Sequence, residues 1–256
     1  MGAMSSVPRI FITQDLAAGT DIELPEGQSK YLTRVMRLAE GDNIRVFNGR
    51  HGEWRASLHQ TGSKRVSIRP TDQTREQVSG PELTLMFAPL KKARTDFVVE
   101  KACELGVRTI QPVMTEYTQA SRVRADRLQS VVIEAAEQTE RMDIPTVEDD
   151  LPLLSALDRW GASAPVFYCD ESGEALPMID ALKQQASSSA AILIGPEGGF
   201  APKEREKLRS LPYIVPVTLG PRILRAETAA VAALTLWQSV LGDWPVHPYL
   251  PETTIG

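Results

Sequence analysis

The stretch "LIGPEGGFAPKE" (Leu193–Glu204) decides how the second half of the chain folds. An apolar run arrives at Gly195, Pro196 and Glu197 follow, and Gly198 and Gly199 lead into a charged segment. That segment opens with Pro202, a residue favoured in the first turn of a helix. The pattern is a buried strand, a tight loop and a helix. It recurs downstream, where "YIVPVTLG" runs into the loop "LGPRILRAET" (Leu219–Thr228) and then into the helix "AETAAVAALTLWQSV". Ala226, Ala229, Ala230, Val231, Ala232, Ala233, Leu234, Leu236 and Trp237 make that helix apolar nearly all round, which predicts burial.

Parallel α/β sheets bind ligands beyond the carboxyl ends of their strands, so both loops are expected to face one pocket. Phosphate does not suit the first loop. A P-loop needs G-x-x-x-x-G-K-[ST]. Here Gly199 is followed by Phe200 and no lysine, G-x-G-x-x-G is missing, and Glu197 would repel an anion. The loop suits a neutral or cationic ligand held by backbone groups, and a plain strand-to-helix turn explains it equally well. In the second loop, Arg222, Arg225 and Glu227 stand at the head of a buried helix. Charges there need partners or a ligand, so either an internal Arg225–Glu227 pair or a bound molecule is expected.

Outward from these loops, strand and helix alternate. Strand "LTLMFAPL" (Leu83–Leu90) precedes a helix closed by Gly106 as C-cap. Strand "VRTIQPVMT", a helix over Asp126–Glu140, strand Pro165–Asp170 and a short helix over Met178–Gln185 follow. This half reads as α/β with a mostly parallel sheet, over residues 80–245. The first part reads as a small β-barrel over residues 7–72, with strands Arg9–Thr13, Asp21–Leu24, Asn43–Asn48, Glu53–Leu58 and Arg65–Arg69 between turn residues. One helix interrupts it, with Ser29 as N-cap and Lys30, Arg34 and Arg37 on one face. "TDQTREQVSGPE" (Thr71–Glu82) reads as the linker.

The chain has 256 residues, formal net charge −5 and 42% hydrophobic residues, the composition of an ordinary globular protein. Two cysteines (Cys103, Cys169) are too few for a disulfide framework or thiolate metal site, and His51, His59 and His247 lack metal spacing. No metal is expected. No apolar run is long enough to cross a bilayer, and "MGAMSSVPRI" lacks the apolar core of a secretion signal, so a cytoplasmic location is expected. Residues 27–70 carry nine Lys/Arg against three acids inside this acidic protein. Such local positive charge points to a surface for a polyanion.

"LIGPEGGF" followed by "LGPRILRAETA" resembles the paired cofactor loops of the SPOUT methyltransferases, and within them the bacterial 16S ribosomal RNA (uracil-N3)-methyltransferases. "YLTRVMRLAEGDNIRVFNG", "KKARTDFVVEKACELGVRTIQPVMTE" and "EAAEQTER" are similar to further blocks of that family, so the resemblance spans nearly the whole chain. Tyr117 stands where the family has an arginine, and the proline-rich tail from Gly242 onward runs longer.

The resemblance implies a PUA-like β-barrel followed by a SPOUT α/β domain with a trefoil knot. It implies a homodimer, S-adenosylmethionine as methyl donor, and a uridine in the decoding region of 16S rRNA, naked or in the small ribosomal subunit, as substrate. Under it, backbone of Gly195, Glu197, Gly198 and Gly199 and of Leu219, Gly220, Ile223 and Leu224 would hold the cofactor, with Leu193 among the apolar residues packing on its adenine. Arg225 would meet charge developing on the uracil, Glu227 would orient or take a proton, and Glu137, Gln138 and Arg141 would line the same pocket or form a solvated helix end. Lys30, Arg34, Arg37, Arg50, Arg55, Lys64 and Arg65 would contact RNA phosphates. Two other classes fit part of the pattern. A SPOUT ribose 2′-O-methyltransferase would share cofactor and knot, and a non-catalytic ribosome-assembly factor would keep only the RNA-binding barrel.

Overall fold

The computed structural model describes residues 7–60, 65–120, 123–170, 175–185 and 188–245. Two compact units divide them. The first takes residues 7–79 together with Glu137–Asp143, and the second takes Gly80–Ala136 and the chain from Ile144 onward. The return of Glu137–Asp143 to the first unit has no counterpart in a division at a single linker.

The first unit is built on β1 (Arg9–Phe11), β2 (Ile22–Glu23), β3 (Asn43–Phe47), β4 (Glu53–Gln60) and β5 (Val66–Arg75), ordered β1-β3-β4-β5-β2 in one sheet. Alternating residues close its core, among them Ile10, Ile12, Ile44, Val46, Ala56, Leu58 and Ile68. Helix α1 (Glu26–Lys30) runs into a π-helical turn (Tyr31–Val35) that buries Leu32 against this core.

Three expectations are corrected here. Ser29 is not the N-cap: Pro25 takes that position, and Ser29 is buried inside the helix with its hydroxyl donating to Leu24 O at 3.3 Å. Arg37 does not share a face with Lys30 and Arg34, because the helical run ends at Val35 and Arg37 adopts φ 58°. The polar run starting at Thr71 is not wholly linker. Residues 71–75 continue β5, pairing with Glu53–Arg55 through a bulge, and most of their side chains face solvent, which is why the sequence reads as loop.

An ion cluster fastens Glu137–Asp143 to this sheet. Glu53 on β4, 0% exposed at its side chain, receives Arg9 Nε at 2.6 Å, Arg45 Nη1 at 3.5 Å and Arg75 Nη2. Glu140 completes the cluster, with Arg45 Nη2 at 2.6 Å and Arg75 Nη2 at 2.8 Å. Arg9 also donates to Arg141 O at 2.7 Å and lies 3.7 Å over the Phe47 ring centroid. Burial pushes the Glu53 and Glu140 carboxyls up, but hydrogen bonds from Arg75 and Arg9 to the first and from Arg45 to the second outweigh it, and both end below the ordinary carboxylate value.

The second unit is α/β. Its strands are β6 (Leu83–Phe87), β7 (Thr109–Met114), β8 (Thr146–Val147), β9 (Leu151–Pro152), β10 (Val166–Cys169), β11 (Leu176–Pro177), β12 (Ala190–Ile194) and β13 (Ile214–Thr218). They pair in parallel in the order β11-β13-β10-β12-β6-β7-β8, with β9 also on β7. The helices are α2 (Lys92–Glu104), α3 (Ala125–Gln138), α4 (Leu153–Trp160), α5 (Met178–Lys183), α6 (Pro202–Ser210) and α7 (Ala226–Val240). Helix α4 is an addition to the sequence reading. Leu153, Ala156 and Leu157 give it an i, i+3, i+4 buried stripe, but at two turns it is too short to stand out by period. Helix α7 is less enclosed than expected. Ala230, Ala233, Leu234 and Trp237 are buried, whereas Ala229, Val231, Ala232 and Leu236 are half-buried. Among the described residues no helix is long and apolar enough to cross a membrane.

Candidate active site

Strand β10 lies between β12 and β13 in the sheet, so the loops leaving β12 and β13 flank the end of β10. Between them is a cavity of about 570 Å³, within the range of small-molecule sites. Tyr168 and Cys169 of β10 and Asp170 just after it lie on its wall, with Gly195–Phe200 from one loop and Leu219–Arg225 from the other.

Local chemistry shapes both loops. Phe200 is buried and meets Tyr168 edge-on at 5.2 Å between centroids. Its ring lies over Gly195, where a Cβ would come within 2.6 Å of it, so only glycine fits. Gly199 has φ +69° and closes a turn with its N–H on Pro196 O at 2.9 Å. Asp170, almost wholly buried, holds Arg209 Nη2 at 2.7 Å. Burial pushes the Cys169 thiol up to about 12, which keeps it protonated and unsuited to nucleophilic attack near neutral pH.

Of the expected cofactor residues, Gly195, Glu197, Gly198, Gly199, Leu219, Gly220, Ile223 and Leu224 all line the cavity. Leu193 does not. It is fully buried in the core beneath, against the layer that contains Tyr168 and Phe200. Arg225 lines the cavity, is exposed, and has no ion-pair partner among the described residues. The alternative of an internal Arg225–Glu227 pair is not what forms. Glu227 is absent from the cavity wall and turns toward α2, where Arg94 Nη1 stands 4.0 Å from its Oε2. That oxygen is buried and accepts no hydrogen bond. The same Arg94 nitrogen holds Glu197 Oε1 at 2.9 Å. Arg94 thus stands between the first loop and the head of α7, and sequence reasoning missed it. Its signal was its place in the first turn of the helix that follows β6.

Glu137, Gln138 and Arg141 do not line this cavity. Glu137 accepts Phe11 N–H at 2.8 Å, Arg141 Nε pairs with Asp143 at 2.8 Å, and Gln138 is exposed. Glu137 and Arg141 are committed to the first unit, whose β1 needs an acceptor at Phe11.

Of the six expected RNA-binding cations among the described residues, three are paired. Lys30 meets Glu26 at 2.5 Å, Arg50 meets Asp15 at 2.9 Å and Arg65 meets Glu23 at 3.2 Å. Those acids precede residue 27, so the basic window 27–70 left them out. Over residues 7–75 there are eleven Lys/Arg and eight Asp/Glu. Arg34, Arg37 and Arg55 are exposed without an ion pair among the described residues, and Lys64 lies outside the described residues.

The family model described as RNA methyltransferase domain matches residues 78–238, and that described as RNA methyltransferase PUA domain matches residues 24–71. Ribosomal RNA small subunit methyltransferase E of Rickettsia conorii is 33% identical over 227 residues, covering 88% of this chain and 93% of the relative. The enzyme of that name from Synechocystis is 31% identical, covering 91% and 78%. The Neisseria gonorrhoeae enzyme of that name, solved with S-adenosylmethionine, superposes with TM-score 0.81 at 30% identity over 93% of this chain and 99% of its own. A Legionella pneumophila methyltransferase with the same bound cofactor gives TM-score 0.84 at 28% identity and the same coverages. The chain belongs to the ribosomal RNA small subunit methyltransferase E family.

Proposed function

We propose that the chain transfers a methyl group from S-adenosylmethionine to N3 of a uridine in the decoding region of 16S rRNA. Residues 7–72 would serve as the RNA-binding barrel and residues 80–245 as the knotted methyltransferase domain. The observation that carries this reading is the convergence of both glycine loops on one cavity whose wall mixes loop backbone and apolar side chains with Asp170, Glu197 and Arg225 and carries no lysine. The cavity fits the cofactor. Gly199 leaves its backbone open, with nothing within 4 Å of where a Cβ would stand, the backbone of Leu219–Leu224 offers donors and acceptors for an adenine edge, and Leu219, Ile223 and Leu224 supply apolar surface. When bound, S-adenosylmethionine supplies an electrophilic methyl group on a cationic sulfur.

The chain's own residues act on the uracil. N3 carries a proton that must leave, and negative charge then spreads to O2 and O4. Arg225, unpaired at the cavity, is placed to meet that charge. Holding the base in line contributes further, up to about 7–11 kcal/mol for an ideally oriented pair. The carboxylates on the wall, Asp170 and Glu197, are each already paired with an arginine. Glu227 enters only through Arg94, as an orienter of the second loop. Arg34, Arg37 and Arg55 of the barrel would position RNA by its phosphates. The half-buried Val231, Ala232 and Leu236 of α7 suit a homodimer seam near the cavity. Paired with its ribosomal substrate, the enzyme would work in the cytoplasm.

The test is nucleoside mass spectrometry. Small ribosomal subunits from cells lacking the gene, incubated with protein and S-adenosylmethionine, should gain 3-methyluridine. Gain of an alkali-resistant 2′-O-methylated link, or of no methyl group, would overturn the reading.

A further inference from the structure

We propose that Tyr117 is the platform on which the target uracil stacks at the cavity, an assignment that rests on the base-methylation reading above. The residue sits in the turn after β7. That turn is fixed by its neighbours: Thr118 Oγ1 accepts Thr115 N–H at 2.9 Å, and the two threonine hydroxyls are 2.8 Å apart. Glu204 then bridges it to α6, with Oε1 accepting Glu116 N–H and Oε2 accepting Ala201 N–H, both at 2.9 Å. The backbone of Tyr117 is therefore held in place while its side chain is 42% exposed. It lines the cavity, and it has no hydrogen-bond or ring partner among the described residues.

The ring root rests on Gly198. A Cβ at 198 would lie 3.4 Å from Tyr117 Cβ and 3.8 Å from Cγ and Cδ2, so the first glycine loop backs the aromatic. The second loop offers Ile223, 84% exposed, on the same lining. Beside Ile223, Arg222 is exposed with no ion pair among the described residues. A rigidly mounted, unpartnered aromatic, an exposed aliphatic and a free guanidinium match the three parts of a nucleotide drawn out of its stack: two base faces and a phosphate. Enzymes that modify bases hold the extruded base between such side chains. Stacking needs only a π-face, so any tyrosine so mounted serves a pyrimidine.

Steady-state methylation of small ribosomal subunits lacking the modification tests the assignment, with calorimetric titration of S-adenosylmethionine beside it. Tyr117→Ala should lower kcat/KM for subunits by about 5- to 150-fold, the span expected for one lost base–aromatic stack. The loss should fall mainly on KM. Cofactor affinity should stay within about twofold, and Tyr117→Phe should recover most of the loss. Three results would overturn it: wild-type kinetics in Tyr117→Ala, collapse of cofactor affinity together with rate, or equal losses in the alanine and phenylalanine variants. A wild-type protein that forms no 3-methyluridine would overturn the functional reading and this assignment with it.

Discussion

Arg94 Nη1 lies 2.9 Å from Glu197 Oε1 and 4.0 Å from Glu227 Oε2, so one guanidinium from α2 stands between the first glycine loop and the first turn of α7. Glu227 Oε2 is buried and accepts no hydrogen bond. Removing Arg94 leaves that carboxylate without its cation, whereas Glu227→Gln removes the charge itself. Arg94→Ala should therefore lower thermal stability more than Arg94→Ala/Glu227→Gln, with a coupling of about 0.5–3 kcal/mol. Additive effects in the four-variant cycle would show that the 4.0 Å approach is not an interaction.

Gly199 separates backbone from side-chain effects. Nothing lies within 4 Å of a Cβ built there, so a substitution meets no clash, but φ +69° penalises every side chain and β-branched ones most. Gly199→Val should abolish the melting-temperature shift given by S-adenosylmethionine, which is worth about 2.7 kcal/mol at 100 times the dissociation constant. Gly199→Asn, whose side chain tolerates the left-handed region, should keep most of it. An intact shift in the valine variant would take this loop out of the site.

Arg225 carries the proposed chemistry. It precedes α7 as N-cap, at the positive end of the helix dipole, where a second positive charge is unfavourable for stability but helps a forming anion. Arg225→Ala should slow methylation by about 10²–10³ and leave cofactor affinity nearly unchanged. Collapse of affinity along with rate would make it a loop-shaping residue instead.

Acid should unfasten the first unit. The Glu53 and Glu140 carboxyls sit below their ordinary value of 4.5 in the folded chain. Their stabilisation is therefore present above the unfolded value and is lost as pH falls through the folded one. Hydrogen exchange of β4 and β5 should show protection falling once pH drops below about 4. Glu53→Gln, which removes the buried carboxylate and leaves Glu140 to face Arg9, Arg45 and Arg75, should cost about 3–5 kcal/mol near neutral pH and flatten that acid limb. Unchanged acid sensitivity in the variant would place the titrating groups elsewhere.

RNA binding by the barrel divides its cations into two sets. Alanine at Arg34, Arg37 and Arg55 together should reduce the slope of log affinity against log salt by roughly 2, at about 0.7–0.9 per phosphate contact. Alanine at the paired Lys30, Arg50 and Arg65 should change it less. Equal effects from the two sets would mean that the ion pairs with Glu26, Asp15 and Glu23 open on the RNA.

The cavity was legible because its chemistry is local. Gly195, Gly199 and Gly220 punctuate apolar strands, and the rule for parallel sheets places such loops at a ligand site. What escaped the sequence was pairing across long separations. Glu227 finds Arg94, 133 positions earlier, instead of Arg225 two positions before it. The charge of residues 27–70 overstates that of the whole unit because Asp15, Asp21, Glu23 and Glu26, which pair with its cations, precede residue 27. Leu193 adjoins a glycine loop, but it lies in a strand whose five residues are all buried, and Tyr168 and Phe200 of its own core cluster take the cavity wall instead.

Glu140 also bears on how this chain is made. Arg45 precedes it by 95 residues and Arg75 by 65. At roughly 5–20 residues per second, translation delivers Glu140 about 3–13 seconds after Arg75. A nascent barrel therefore waits with three guanidinium groups gathered on a single carboxylate. A gene cut after Ser79 makes that waiting form permanent, so an isolated N-terminal fragment is a poor stand-in for the barrel in RNA-binding work.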